Sequence, residues 1–182
     1  MDAVSMCGQL GLGLALGLGT VGSALGIGTA GQAAAGAWAK EAKAGKPLSS
    51  AYIIFTSMPL SQTFYAFMLV FIGLKKLSYD PAALSANAGA LLSLGLACGL
   101  AQLFSAWFQG KVGAAACRCM SEGEGKGMGF LLLAMGIVET VGLFGFVLMW
   151  LMLPQAPEAV ETAKPIVEQT MNWLSSATPF LA

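Results

Sequence analysis

Four long apolar runs separated by short polar connections dominate the pattern of this 182-residue chain. They cover about residues 6–38, 50–74, 83–116 and 127–153. Crossing a bilayer as a helix takes roughly 20 apolar residues at 1.5 Å rise each, so each run predicts one transmembrane helix. The first and third exceed the hydrocarbon thickness and are expected to tilt or project beyond it. The predicted fold is therefore an all-α membrane protein with four transmembrane helices.

The polar positions inside these runs carry the chemistry. Glu139 is a lone carboxylate near the middle of the fourth run. An unpaired charge at that depth costs at least about 2.5–3.5 kcal/mol, so it calls for a proton, a metal cation or a partner. A carboxylate that exchanges its neutralising cation at the bilayer midplane is an ion carrier. In the second run, Met58, Ser61, Gln62 and Tyr65 stand at steps that share one helical face. Pro59 has no backbone N–H, which frees a carbonyl one turn earlier and loosens the helix. Gln102 and Gln109 share a face of the third run. Amide, hydroxyl and carboxylate oxygens suit a hard cation such as Na⁺. A proton is the alternative, since protonated Glu139 needs only one acceptor. The structural alternative is that these groups merely hydrogen-bond between helices, as Gln102 readily would.

The runs also repeat. Met58-Pro-Leu-Ser-Gln62-Thr63 resembles Met135-Gly-Ile-Val-Glu139-Thr140, and aromatic-rich stretches follow both. Gly31-Gln-Ala-Ala-Ala-Gly36 likewise echoes Gly110-Lys-Val-Gly-Ala-Ala-Ala116. Two duplicated hairpins explain the pattern, with Gln62 holding in the first the place of Glu139 in the second. The domain expectation is a first hairpin over 1–78, a second with the carboxylate over 79–153, and an extension over 154–182. In the first run Ala15, Gly19, Gly22, Gly26, Thr29, Ala33 and Gly36 form a predicted small-residue face. Small faces let transmembrane helices approach closely. They suit a crowded inner circle of helices, with the second and fourth runs outside.

Composition narrows the class. The chain is 57% hydrophobic and only 10% charged, against about 25% in ordinary soluble domains. Its formal net charge is zero, and neither a nucleic-acid partner nor an organic cofactor is expected. The matches to G-x-G-x-x-G at Gly17–Gly22 and Gly26–Gly31 lie inside a continuous apolar run. They lack the preceding strand and the later acidic residue of a dinucleotide site. With no histidine and no cysteine pairs at metal spacing, a zinc site is not expected. The N-terminus has Asp2 in place of a basic region, so the first run reads as a retained span. Lys40, Lys43, Lys46, Lys111, Arg118 and Lys126 attach to the first and third connections, against Lys75, Lys76 and Lys164 elsewhere. By the positive-inside rule those two connections face the cytoplasm and both termini lie outside.

Together, residues 22–36, Pro59 to Phe67, Phe108-Gln-Gly-Lys-Val112 and the Glu139 segment resemble the membrane-ring proteolipid, the c or K subunit, of rotary V-type/A-type ATPases. The similarity covers about residues 8–153. It implies a ring of identical four-helix subunits turning in the lipid against a static membrane subunit with an arginine. It also implies that Glu139 carries the ion and that the chain is not catalytic alone. In sodium-binding relatives the carboxylate is joined by two glutamines, a hydroxyl, a backbone carbonyl and a latching tyrosine. The matching positions are Gln62 and Gln109, Ser61, the carbonyl of Met58, and Tyr65. Ser61 stands where a threonine is usual, keeping the hydroxyl and losing a methyl.

One carboxylate in four helices means fewer ions per turn than one in two, which favours pumping against a steep gradient. The lysine-rich first connection suits docking of a central rotor stalk. A small cation-coupled secondary transporter with one membrane carboxylate is the alternative function, and it predicts a ligand-sized polar cavity. A purely structural proteolipid is a third, and it predicts that Glu139→Gln is silent. In the extension, Ile166, Val167, Thr170, Met171, Trp173 and Leu174 make a loose apolar stripe consistent with an interfacial helix outside the membrane.

Overall fold

The computed structural model describes residues 2–154 and Gln169, and the rest of the extension, with its expected interfacial helix, lies outside the described residues. Helix α1 runs Ala3–Lys43. Asp2 caps it by accepting the Ser5 backbone N–H at 2.8 Å, and Lys40 and Lys43 sit in its last turn, where the helix dipole favours positive charge. Helix α2 runs Ala51–Ser78, with a 3₁₀ turn at Met58–Leu60 around Pro59 and a π turn at Leu69–Leu74. Asp80 and Pro81 start the short α3, Pro81–Ala86. Helix α4 follows over Ala88–Glu122 and α5 over Met128–Leu151. Gly125 and Gly127, both at φ 85°, shape the turn between them, a conformation open to glycine.

Helices α1, α2, α4 and α5 are long and apolar enough to cross a membrane, as expected. Helix α1 extends past its apolar run at both ends, and α4 does so at its C-terminal end. At 1.5 Å per residue α1 is about 60 Å long, roughly twice the hydrocarbon thickness. The most intimate packing joins α1 to α4. A Cβ on Gly95 would overlap the Gly11 carbonyl, and one on Gly110 would overlap the Gly26 backbone. Backbone meets backbone there because neither helix carries a side chain at the crossing.

The buried stripe of α1 differs from expectation in its second half. It follows Ala15, Gly19, Gly22 and Gly26, then continues through Ala30, Ala34 and Ala37. Thr29 and Ala33 are half-buried and Gly36 is exposed. The expected set advances by about 3.5 residues per turn, whereas a straight helix turns every 3.6, so the two part company after about three turns.

Two apolar clusters fill the two ends of the bundle. One gathers Leu69, Leu74, Leu91, Leu94 and Cys98; the other gathers Tyr52, Phe55, Cys117, Met120 and Met135. Between them lies a buried polar layer of Gln62, Gln102, Ser105 and Gln109. Helix α5 buries only Met135 and Gly142, and presents Phe130, Leu133, Ile137, Val141, Phe144, Leu148 and Leu151 outward as an apolar stripe. That stripe is suited to lipid.

The first and third connections lie at one end. Lys46 Nζ meets Glu124 Oε1 at 3.0 Å across them. Glu41 organises the first connection by accepting the Ser49 N–H at 2.9 Å and the Tyr52 hydroxyl at 2.6 Å. At the opposite end Asp2 and Ser5 line a shared surface with Ser78, Pro81 and Leu84.

Candidate ion-binding site

The polar layer is built from the local chemistry of three helices. Pro59 denies an N–H to the turn before it, and the chain tightens to 3₁₀ geometry through Met58–Leu60. Ser61 leaves that turn with its Oγ 3.1 Å from the Met58 carbonyl and 3.1 Å from Gln62 Oε1. One turn later Tyr65 sends its hydroxyl to Glu139 Oε1 at 3.0 Å, its ring stacked on Phe146 with centroids 5.8 Å apart. Gln62 is fully buried and donates through Nε2 to Gln109 Oε1 and Ser105 Oγ, both at 3.1 Å. Gln109, fully buried on α4, donates to the Met135 carbonyl at 3.2 Å and, over a longer 3.4 Å, to Glu139 Oε2.

Gln62, Gln109, Glu139 and Tyr65 thus join in one chain of hydrogen bonds, and Ser61, whose single hydroxyl hydrogen is shared between the Met58 carbonyl and Gln62 Oε1, sits at its Gln62 end. The six positions matched to the site through the family resemblance converge, from α2, α4 and α5. Glu139 is half-buried, and each of its oxygens faces a donor. Burying such a carboxylate without partners would cost several kcal/mol, so its neighbours are what make the position tenable. The Gln62 Oε1 and the Met58 carbonyl gather around Ser61 Oγ as neutral acceptors. Among the described residues no three His, Cys, Asp or Glu side chains cluster as a transition-metal site would require.

Gln102 does not join this chain. It donates to the Gly142 carbonyl at 2.8 Å, between helices, and its Oε1 is buried without a partner. Ser105 went unforeseen. It receives Gln62 and donates to the Val138 carbonyl at 3.0 Å. Its place between Gln102 and Gln109, at steps of three and four, sets it on their face but does not reveal its partners on α5. The two repeat positions, Gln62 and Glu139, meet at one site through Gln109, so the duplicated hairpins share a single carboxylate.

Fold and site together define a four-span integral membrane protein, made of two related hairpins, with a hydrogen-bonded carboxylate at mid-span. Residues 10–72 and again 92–152 match the ATP synthase C-subunit family, the proteolipids of ATP synthases. The chain belongs to that family. The double match agrees with the internal repeat, and these proteolipids are membrane components that form rings in ATP synthases and are not catalytic by themselves. No curated protein matches the chain.

Proposed function

We propose that this chain is the ion-carrying rotor-ring subunit of a V-type or A-type rotary ATPase and that Glu139 carries Na⁺. The observation that supports this best is the hydrogen-bonded chain from Gln62 through Gln109 to Glu139 and the Tyr65 hydroxyl, with Ser61 Oγ 3.1 Å from both Gln62 Oε1 and the Met58 carbonyl. The Glu139 carboxylate, the Gln62 and Ser61 side-chain oxygens and the Met58 carbonyl make up an oxygen donor set suited to a hard monovalent cation, with Gln109 bridging Gln62 to Glu139. A proton would use one acceptor and leave the remaining oxygens without a task. The V/A-type assignment draws on the duplication, in which Gln62 holds the first hairpin's place for the carboxylate and leaves one carrier per four helices.

The mechanism follows from electrostatics. Facing lipid, Glu139 must be neutral, so it holds its ion. Facing a static membrane subunit with a hydrated path and an arginine, it releases the ion as a carboxylate. Moving one charge through the potential is worth about 2.3 kcal/mol per 100 mV, which ties ion flow to rotation. The Tyr65 hydroxyl, 3.0 Å from Glu139 Oε1, is the latch that closes over the loaded carboxylate. The lysine-bearing first and third connections face the cytoplasm in this reading and meet the central stalk, with both termini outside.

Carbodiimide labelling of Glu139 in detergent-purified rings at mildly acidic pH tests the reading. Protection by millimolar Na⁺ is the expected result. Labelling that ignores Na⁺ and declines only as pH rises would make the carried ion a proton. No labelling at all would leave the carboxylate a structural group.

A further inference from the structure

Three side chains on one face of α4 reach backbone carbonyls of α5. Gln102 donates to Gly142 at 2.8 Å, Ser105 to Val138 at 3.0 Å and Gln109 to Met135 at 3.2 Å. A carbonyl oxygen only accepts, so each of these side chains must spend a hydrogen there. Ser105 has a single hydroxyl hydrogen. With that hydrogen on Val138, its Oγ has only lone pairs to offer Gln62. Gln62 must therefore turn its NH₂ toward Ser105. The same NH₂ serves Gln109, whose Oε1 is left to accept because its own NH₂ is turned to Met135. Both Gln62 N–H bonds are consumed on the α4 side, and Oε1 is left at 3.1 Å from Ser61, beside the Met58 carbonyl.

We propose that Ser105 is a positioning residue that fixes the polarity of the Gln62 amide, and so favours a metal cation over a proton at Glu139. The inference rests on the Na⁺ reading above. A cation needs the Gln62 oxygen, and a reversed amide would turn N–H hydrogens toward it. A proton on Glu139 needs one acceptor, so it is indifferent to that reversal. Gly142 completes the device. A Cβ there would stand 2.8 Å from Ser105 Oγ and 2.9 Å from Gln102 Oε1, so any larger residue displaces the serine hydroxyl.

The test uses full-length assembled rings, with Na⁺ and protons as the probes and carbodiimide labelling of Glu139 as the readout. Ser105→Ala is expected to raise the Na⁺ concentration giving half-protection about tenfold, the effect of losing one buried hydrogen bond. The pH midpoint of labelling in Na⁺-free buffer should stay where it is. Ser105→Thr, which keeps the hydroxyl, should recover most of the Na⁺ affinity. Gly142→Ala should shift Na⁺ protection in the same direction as Ser105→Ala, and it carries the test alone if the serine variants fail to assemble. Unchanged Na⁺ protection in these variants overturns the proposal. So does a joint shift of the Na⁺ and pH midpoints, which marks a packing defect. A wild-type ring indifferent to Na⁺ overturns the ion reading itself and this inference with it, and is recognised because the unmodified protein fails.

Discussion

At Glu139 a charge stands where the bilayer tolerates none, and its neighbours reveal the terms on which it stays. Tyr65 and Gln109 each present a donor to one of its oxygens. Glu139→Gln should keep the fold, since an amide can accept the Tyr65 hydroxyl, but should abolish Na⁺-dependent transport in reconstituted vesicles; normal transport would return the residue to a structural role. Tyr65→Phe removes the 3.0 Å bond while keeping the ring on Phe146. Losing a hydrogen bond to a charged group is worth about 1.5–3 kcal/mol, so Na⁺ half-protection should rise at least about tenfold. Equilibrium titration of carbodiimide protection measures it. These residues were legible in the sequence because helix geometry alone brings Met58, Ser61, Gln62 and Tyr65 to one face. Ser105 was not, because a lone serine in an apolar helix usually satisfies itself on its own backbone. Its role depends on the carbonyls of α5, and periodicity within α4 says nothing about those.

The helices themselves were announced by length and apolarity, but their packing was only partly so. The small-residue pattern of α1 predicted a close approach, and Gly22 and Gly26 do lie against the α4 backbone, as does Gly11, outside the predicted face. The pattern held too many small residues to choose its own face, however. Apart from Gln32, alanine and glycine fill positions 30–37, and only the turn of the real helix decides that Ala30, Ala34 and Ala37 go inside. Gly110→Leu would drive a side chain into the Gly26 backbone. Overpacking costs about 1–3 kcal/mol, and here the obstacle is main chain, so the ring's thermal midpoint should drop by several degrees or assembly should fail. Gly28→Leu, at a position with open space around it in the single chain, is the contrasting variant. The π turn at Leu69–Leu74 left no mark on the apolar pattern. A wider turn needs no change of residue type in a run that is apolar all round.

Across the whole molecule, the bundle gathers Lys40, Lys43, Lys46 and Lys126 at the end that holds the first and third connections, joined by the Lys46–Glu124 pair. The orientation proposed from those charges has a direct check in the native thiols. Cys7 is exposed near the start of α1, Cys119 is exposed near the third connection, and Cys98 and Cys117 are buried. A membrane-impermeant maleimide applied to intact cells should reach Cys7 and spare Cys119; the opposite pattern would invert the topology. At this scale the sequence was informative about the number of membrane carboxylates, because one repeat holds Glu139 and the other Gln62. It was silent on how two repeats make one site, since Gln109 of α4 is what bridges them. The most direct test of the account is therefore equilibrium binding of radioactive Na⁺ to purified rings. The account predicts one Na⁺ per 18.6 kDa chain and none in Glu139→Gln rings. Absence of saturable Na⁺ binding, or binding that survives loss of the carboxylate, would contradict it.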